Sequence, residues 1–219
     1  MVLFMNYRRN NKRFSVAGRG EYLSTSDFIV KYYTNLDACR KFFFDMKWPT
    51  GYYCEKCGCT HYYFMKSKNC YRCAHCKHDE RLFTNTIFQD NKLPLNVLLY
   101  GLFLIFTSKK GISSLELSEE LKVNYKTACL LQTKARILMK NSNSKKSLDA
   151  SFYESDVAYT GAPSHNGKRG LGTDKQPFLV VLSTEQENKY PLYIKLHEVS
   201  SDSGNIIQAF FDQYVKMSN

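Results

Sequence analysis

The chain has 219 residues, of which 43% are hydrophobic, and a formal net charge of +11. This length allows one or two modest domains, and the hydrophobic content excludes an intrinsically disordered chain. The one long apolar run, residues 95–106, is too short to span a bilayer. The apolar stretch at residues 1–5 is too short for a signal peptide and is followed by basic residues. We therefore expect a folded intracellular protein whose thiols stay reduced.

The charge is segregated along the chain. Residues 1–148 carry a net charge of +14 and residues 149–219 a net charge of −3. Residues 1–20 contain five Arg or Lys and no acid, which predicts a basic tail, and residues 121–148 contain seven and again no acid. A basic half of this kind is typical of nucleic-acid binding. Lysines that only keep the surface soluble are the alternative, but solubility does not require segregation.

Residues 21–47 predict two short helices ahead of the cysteine-rich region. Thr25 or Ser26 would cap the first helix, over residues 27–33. Asn35 would cap the second, over residues 36–46, which the Trp48-Pro49-Thr50-Gly51 segment then ends.

Two CxxC pairs, Cys54 with Cys57 and Cys73 with Cys76, are the most informative feature of the sequence. Their separation is typical of a structural zinc site, in which two tight turns supply four thiolates to a tetrahedral Zn²⁺ ion. We expect residues 48–90 to form a zinc ribbon, with strands at 61–65, 69–72 and 81–88. Two disulfides in a secreted domain are one alternative. A thioredoxin-like redox site is the other, but it needs only one CxxC pair and a βαβ context.

The remaining cysteines, Cys39, Cys59, Cys70 and Cys129, share no common spacing. Cys70 lies three residues before Cys73 and is the rival ligand. Cys76 is preferred because the Cys73-x-x-Cys76 pair repeats the spacing of the first pair.

Residues 91–140 predict a helix-turn-helix DNA-binding region. A short acidic helix over residues 115–121, capped by Ser113 or Ser114, leads through a three-residue turn into a longer basic helix over residues 125–140. Five apolar residues would pack these helices together: Leu117, Leu121, Val123, Ala128 and Leu131. Six side chains on the long helix are the candidate DNA contacts: Tyr125, Lys126, Thr127, Gln132, Lys134 and Arg136. An ordinary helical hairpin is the alternative, and the charge of the two helices favours DNA.

Residues 141–148 form a polar linker, and the pattern beyond it changes to strands. We expect strands near residues 152–159, 178–182 and 190–196, with a glycine-rich basic loop over 161–174. An amphipathic helix over residues 204–215 would follow.

Six spaced motifs carry a resemblance to a known family. They are Trp48-Pro49-x-Gly51, Cys54-x-x-Cys57-Gly58, Tyr71-Arg72-Cys73-x-x-Cys76, Thr86-Ile87-Phe88, Lys92-Leu93-Pro94-Leu95 and the stretch from Thr107 to Ser114. With these motifs the chain resembles the zinc-ribbon insertion-sequence transposases related to the Merlin superfamily, over about residues 27–214.

The resemblance implies an α+β fold: a zinc ribbon, a helix-turn-helix and, over residues 149–219, the first part of a ribonuclease-H-like DDE domain with three strands and one helix. It implies that Asp156, in Glu154-Ser155-Asp156, is the first catalytic aspartate. Two Mg²⁺ ions held by three carboxylates would then cleave and transfer DNA strands. The expected partners are double-stranded DNA, as terminal inverted repeats and target, and further copies of the chain on that DNA. Zn²⁺ would be structural and Mg²⁺ catalytic.

Two departures from the family pattern limit the expected activity. Val157 stands where the family usually has another acid. The second catalytic aspartate would lie on a fourth strand that the chain does not reach, and the third carboxylate would lie still further on. We therefore expect a transposase cut short at its C-terminus and catalytically incomplete. The alternative is a DNA-binding module only, either a repressor or an inactive remnant. A ribosomal or transcription-factor zinc ribbon would leave residues 149–219 unexplained. The expected location is the bacterial cytoplasm, at the nucleoid, or the nucleus of a eukaryote.

Overall fold

The computed structural model describes residues 14–15, 22–108, 110–144, 152–162, 173–184, 193–200 and 204–215. The strands there are β1 Phe14–Ser15, β2 Tyr22–Leu23, β3 Tyr62–Met65, β4 Cys70–Cys73, β5 Asp79–Glu80, β6 Phe152–Thr160, β7 Gln176–Thr184 and β8 Tyr193–Glu198. The helices are α1 Thr25–Phe28, α2 Leu36–Lys47, α3 Leu95–Thr107, α4 Ser114–Leu121, α5 Tyr125–Ser144 and α6 Gly204–Tyr214. A π-helical turn, Ile29–Tyr33, follows α1. None of these helices is both long and apolar enough to cross a bilayer.

The chain divides into two compact units, with the division at Met139 and Lys140. The first unit contains the antiparallel pair β1-β2 and the antiparallel sheet β3-β4-β5, and the second contains the antiparallel sheet β6-β7-β8. Most of the predicted basic tail and residues 163–172 of the predicted glycine-rich loop lie outside the described residues. Helix α5 continues to Ser144, so the start of the predicted polar linker is helical.

Side-chain caps fix where the first helices begin. Ser24 caps α1, one residue before the predicted Thr25 or Ser26, because Ser24 and Asp27 form a reciprocal capping box. The Ser24 hydroxyl accepts the Asp27 amide at 3.1 Å. The Ser24 hydroxyl and amide in turn donate to the Asp27 carboxylate at 2.6 and 3.2 Å, which lowers the pKa of that carboxyl. Asn35 caps α2 as predicted, with its side-chain oxygen accepting the amides of Asp37 and Ala38.

Helix α3 forms the centre of the first unit because it is apolar on every side. Its buried residues are Leu98, Leu99, Gly101, Leu102, Phe103 and Phe106. One continuous apolar cluster joins α3 to α2, to α4 and α5, and to the strands of the predicted zinc ribbon. Gly101 permits the approach of α4 and α5, since a Cβ at this position would lie 2.6 Å from Leu131 and 2.8 Å from Leu121. The predicted ribbon and helix-turn-helix therefore share one core.

The expected last strand over residues 81–88 is wrong. The third strand of the sheet is β5, which pairs Glu80 with Tyr71 and Asp79 with Arg72, and successive turns follow it as far as residue 90. The apolar side chains that suggested a strand are drawn into the core instead, with Leu82 6% and Phe88 1% exposed. Tertiary burial overrides the β propensity of this segment.

The second unit is a three-stranded meander with a helix on one face. Leu179 and Val181 of β7 pack against Phe210 of α6, and Val199 and Val215 complete this small core. Because side chains alternate along a strand, the β7 residues next to Leu179 and Val181, and the β6 residues that pair with them, point to the face of the sheet away from α6.

Candidate metal centre and nucleic-acid interface

Two tight turns present the four CxxC thiols. In the first, the Cys54 amide donates to the Cys59 carbonyl at 2.9 Å, and Gly58 adopts a left-handed φ of 71° that suits glycine. In the second, the Cys73 amide donates to the His78 carbonyl at 2.9 Å, and Lys77 takes the left-handed φ of 60°. The two turns therefore close in similar ways.

The four sulfur atoms lie in one cluster. Cys54 and Cys76 are 3.5 Å apart through their Sγ atoms, as are Cys57 and Cys73, and all four sulfurs lie within 4.8 Å of one another. A tetrahedral zinc site with Zn–S bonds of about 2.3 Å places its sulfurs about 3.8 Å apart. The donor set and its dimensions therefore fit one Zn²⁺ ion. Of the residues that the structure describes, these four alone form a group of three or more such ligands.

Backbone amides of the turns point at the sulfurs. Burial raises the pKa of the Cys73 thiol, but the amides of Cys76 and His75, together with hydrogen bonds from the Cys57 and Cys76 thiols, lower this pKa to about 6. The Cys59 amide lowers the pKa of Cys57, but burial and the neighbouring thiols together raise it to about 12. The pKa of Cys76 is also raised, because burial and the Cys54 and Cys73 thiols outweigh the amide of His78. Four thiolates this close repel one another, so a divalent cation is the natural partner of the full set.

Tyr52 provides a second test of the metal site. Its side chain is 4% exposed, and its hydroxyl lacks a hydrogen-bond partner of ordinary geometry among the described residues. Burial raises the pKa of this phenol, and the neighbouring Cys54, Cys73 and Glu80 raise it further. A buried hydroxyl without an acceptor is costly, whereas a zinc-bound thiolate of Cys54 would accept a hydrogen bond from it. Tyr52 therefore fits a metal-loaded site.

A buried ion pair ties the ribbon to helix α2. The Lys47 ammonium lies 2.6 Å from a Glu80 carboxylate oxygen, with these side chains only 11% and 1% exposed. Lys47 also donates to the Arg81 carbonyl at 2.8 Å, which holds the turn after β5. The pair was not anticipated from the sequence, because 33 residues separate its members and neither lies in a motif.

The cysteines outside the CxxC pairs take no part in the cluster. Cys70, the rival ligand, is buried on β4, and a residue three positions before Cys73 on a strand points to the opposite face. Cys39 is buried in α2, and Cys59 and Cys129 are half-buried.

Helices α4 and α5 form the predicted short helix, turn and longer helix. Ser113 caps α4 by accepting the Glu116 amide at 3.1 Å, and Lys122 closes the helix in a left-handed conformation. Asn124 then accepts the Lys126 amide at 2.9 Å and starts α5. All five residues predicted to pack the pair are in the core, with Val123 partly buried and the others buried.

The candidate DNA contacts on α5 differ in their exposure to solvent. Tyr125, Lys126 and Arg136 are exposed, and Thr127 and Lys134 are half-buried. Gln132 departs from the prediction: it is 4% exposed, accepts from the Ser114 hydroxyl at 2.8 Å and donates to the Ile112 carbonyl at 2.6 Å. The Gln132 side chain therefore holds α5 to the start of α4, and it is not free to reach a base.

Asp156 lies on β6 with its side chain exposed. It pairs across the sheet with Val180, and its Oδ1 accepts the Val157 amide at 2.8 Å. Glu154, two residues earlier, lies on the same face of the sheet, the face that points away from α6. Among the described residues, no third carboxylate or histidine joins them in a cluster of metal-binding size. Only the cysteine cluster is therefore a complete metal site there.

The fold and the sulfur cluster define a zinc ribbon, a class of small domain organised by a structural metal. The family model for the transposase zinc-ribbon domain matches residues 35–79 of this chain. That span begins at the cap of α2, ends in β5 and contains all four clustered cysteines, which supports a structural zinc ion. No curated protein and no solved structure matches the chain.

Proposed function

We propose that this chain acts in DNA transposition, by binding duplex DNA at the ends of a mobile element through its zinc ribbon and the α4–α5 pair. One observation carries the proposal: the segment matching the transposase zinc-ribbon domain shares a continuous core with α4 and α5. Zinc would fix the ribbon against α2 and α3, and α3 in turn would hold the helix pair. The metal would therefore contribute structure to the DNA-binding surface rather than chemistry.

The charge of α5 supports contact with phosphates. Lys126 and Arg136 are exposed cations, Lys134 is half-buried with its ammonium above the Phe88 ring, and no acid lies in α5. We propose that these cations meet the DNA backbone, while Tyr125 and Thr127 face base edges near the start of the helix.

For residues 149–219 we propose the first part of a DDE ribonuclease-H-like domain, with Asp156 as its first metal-binding carboxylate. The antiparallel order β6-β7-β8 and the exposed position of Asp156 agree with this assignment. The described residues do not, however, provide the three carboxylates that two Mg²⁺ ions require. No step of strand cleavage or transfer is assigned to these residues.

A second candidate function is a DNA-binding module that acts as a repressor or has no activity of its own, for which the exposed cations of α5 are sufficient. The two candidates share the DNA-binding surface and differ only in strand cleavage.

A titration of zinc-loaded full chain with fluorescent duplex DNA tests the shared part. The affinity should fall steeply between about 50 and 200 mM salt, since bound phosphates release counterions. Lys126→Ala should weaken binding to every sequence and reduce the salt slope by about 1. Lys41→Ala, an exposed lysine of α2, is the control and should bind like the unchanged chain. Absent or salt-independent binding would contradict the proposal.

Incubation of the chain with supercoiled plasmid and Mg²⁺ or Mn²⁺ separates the two candidates. We expect no nicking, because Glu154 and Asp156 are fewer than the three carboxylates that hold two hydrated cations about 4 Å apart. Metal-dependent nicking that Asp156→Asn abolishes would instead establish the enzyme.

A further inference from the structure

A cleft of about 350 Å³ separates the turns after the ribbon from helix α5. Its volume lies at the lower end of the range for small-ligand sites, about 300–1,000 Å³. Phe88 and residues 90–93 form one wall, and the α5 stripe of Thr127, Leu130, Leu131 and Lys134 forms the other. The cleft is too small to admit a duplex and large enough for one unit of a polymer.

The floor of the cleft is apolar and rigid. Phe88 is 1% and Leu131 3% exposed, and both belong to the core of the first unit. Leu130 stands at the mouth with 55% of its surface exposed, so an apolar side chain is open to a ligand beside the floor.

The loop wall is held in place by its own hydrogen bonds. The Asn91 amide donates to the Phe88 carbonyl at 3.0 Å, and the Asn91 side chain donates to the Leu93 carbonyl at 2.9 Å. The Phe88 amide in turn donates to the Thr86 hydroxyl at 3.2 Å. The cleft is therefore preformed, and a ligand would not have to order it.

The rim is predominantly cationic. Lys92 stands on the loop wall and Lys134 on α5, with its ammonium 5.8 Å from the Phe88 ring centroid. One acid, Asp90, accompanies the two lysines, and Thr127 adds a hydroxyl. A ligand that suits this site has an apolar, flat part for the floor, an anionic group for the lysines and polar edges.

We propose that the cleft binds a single unstacked nucleotide of DNA, with its base on the floor beside Leu130 and its phosphate between Lys92 and Lys134. The inference rests on the proposed function, because it uses α5 as the helix that lies on DNA. It adds a second kind of contact to phosphate binding: the chain recognises a base that has left the stack. Asp90 and Thr127 are the groups that can hydrogen-bond to the edge of that base.

The proposal predicts a preference for DNA in which one nucleotide is already unstacked. Removing a base from a paired duplex costs free energy, and the cost is least where the base is bulged or mismatched. A short duplex with a single bulged 2-aminopurine should therefore bind about tenfold more tightly than the same duplex fully paired, because the bulged base is spared an unpairing cost of a few kcal/mol. The 2-aminopurine fluorescence should change on binding, because the base moves to a new environment.

A matched pair of variants on α5 locates the effect. Leu130→Gln should abolish the preference for the bulge. Ile137→Gln changes another exposed apolar residue, 42% exposed and two turns further along the helix, and should keep the preference. Neither exposed substitution should alter the affinity for the paired duplex by more than about twofold. Zinc content and the fluorescence of the single tryptophan, Trp48, check that both variants are folded.

The outcomes separate this proposal from the function on which it rests. Salt-dependent binding of the paired duplex without a preference for the bulge would overturn the nucleotide site and leave the DNA-binding function standing. A preference that survives in Leu130→Gln would also overturn it, since the bulge would bind elsewhere. Failure to bind either DNA would overturn both. If deoxyadenosine monophosphate alone binds as tightly as the bulged duplex, the occupant is a free nucleotide and the proposal for DNA is wrong.

Discussion

The two units of this chain are stabilised in different ways. Among the described residues of the first, 22 buried apolar residues form one cluster that runs from α1 to α5 and includes two of the four clustered cysteines. In the second, the described residues form a core of five, and one face of the sheet leaves Ile194 57% and Leu196 54% exposed. The zinc ribbon is therefore part of a larger folded body, and its metal should influence helices that contain no ligand.

The largest expected effect is loss of a zinc ligand. Cys54→Ser or Cys76→Ser should reduce bound zinc from one ion per chain to nearly none and unfold the first unit, because the binding free energy of a structural zinc, about 10–16 kcal/mol, is also folding free energy. Metal analysis together with Trp48 fluorescence measures both effects. Cys59→Ser is the control and should retain its zinc. Full zinc retention in Cys76→Ser would contradict the assignment of Cys76 as a zinc ligand.

Loss of the buried ion pair should come next. Lys47→Met leaves the Glu80 carboxylate buried without its cation, which should lower the free energy of unfolding of the first unit by about 3–5 kcal/mol. Denaturant unfolding followed through Trp48 measures the change. Lys41→Met, on the exposed side of α2, should cost less than about 0.5 kcal/mol. If Lys47→Met is as stable as this control, the pair does not join α2 to the ribbon.

A smaller effect is expected at Tyr52. If its hydroxyl donates to a zinc-bound Cys54 thiolate, Tyr52→Phe should weaken zinc binding by about tenfold, the lower end for a residue that supports a metal ligand. Competition with a zinc chelator measures this affinity. Unchanged or tighter binding would mean that the hydroxyl is merely an unsatisfied buried group, whose removal favours folding.

The smallest expected effect concerns the second unit and pH. Burial lowers the pKa of Lys195, whose ammonium lies 3.8 Å from the Tyr214 ring centroid. Between this lowered pKa and the ordinary value of 10.5, the unfolded chain binds more protons than the folded chain, so stability should rise with pH. Hydrogen exchange or thermal unfolding followed by circular dichroism should show the rise, and Lys195→Met should remove it. The control is Lys175→Met at a half-buried lysine, and this variant should keep the rise in stability with pH. If both variants show the same dependence on pH, the rise does not come from Lys195.

Local sequence patterns predicted much of this arrangement. The spacing of Cys54, Cys57, Cys73 and Cys76 was sufficient to predict the sulfur cluster, because each CxxC turn is built from adjacent residues. The caps Asn35 and Ser113 were predictable for the same reason. The strand predicted over residues 81–88 was wrong because the β propensity of this segment was outweighed by the burial of Leu82 and Phe88 in the core, where the chain forms turns.

Contacts between distant residues could not be predicted in the same way. Gln132 looked free on a basic helix, yet it is bound to Ser114, 18 positions earlier. Lys47 with Glu80, and the cleft between Phe88 and Leu130, likewise depend on how separate segments pack.

Hydrogen exchange of the full chain before and after zinc removal tests most directly whether the ribbon and the helix pair are one body. The shared core predicts that chelation removes the protection of amides in α3 and α5 together with those of β4, while β7, which belongs to a separate core, keeps its protection. Returning zinc should restore the lost protection. If α3 and α5 stay protected while β4 exchanges freely, the ribbon folds apart from the helices, and the account of a zinc-supported DNA-binding unit is wrong.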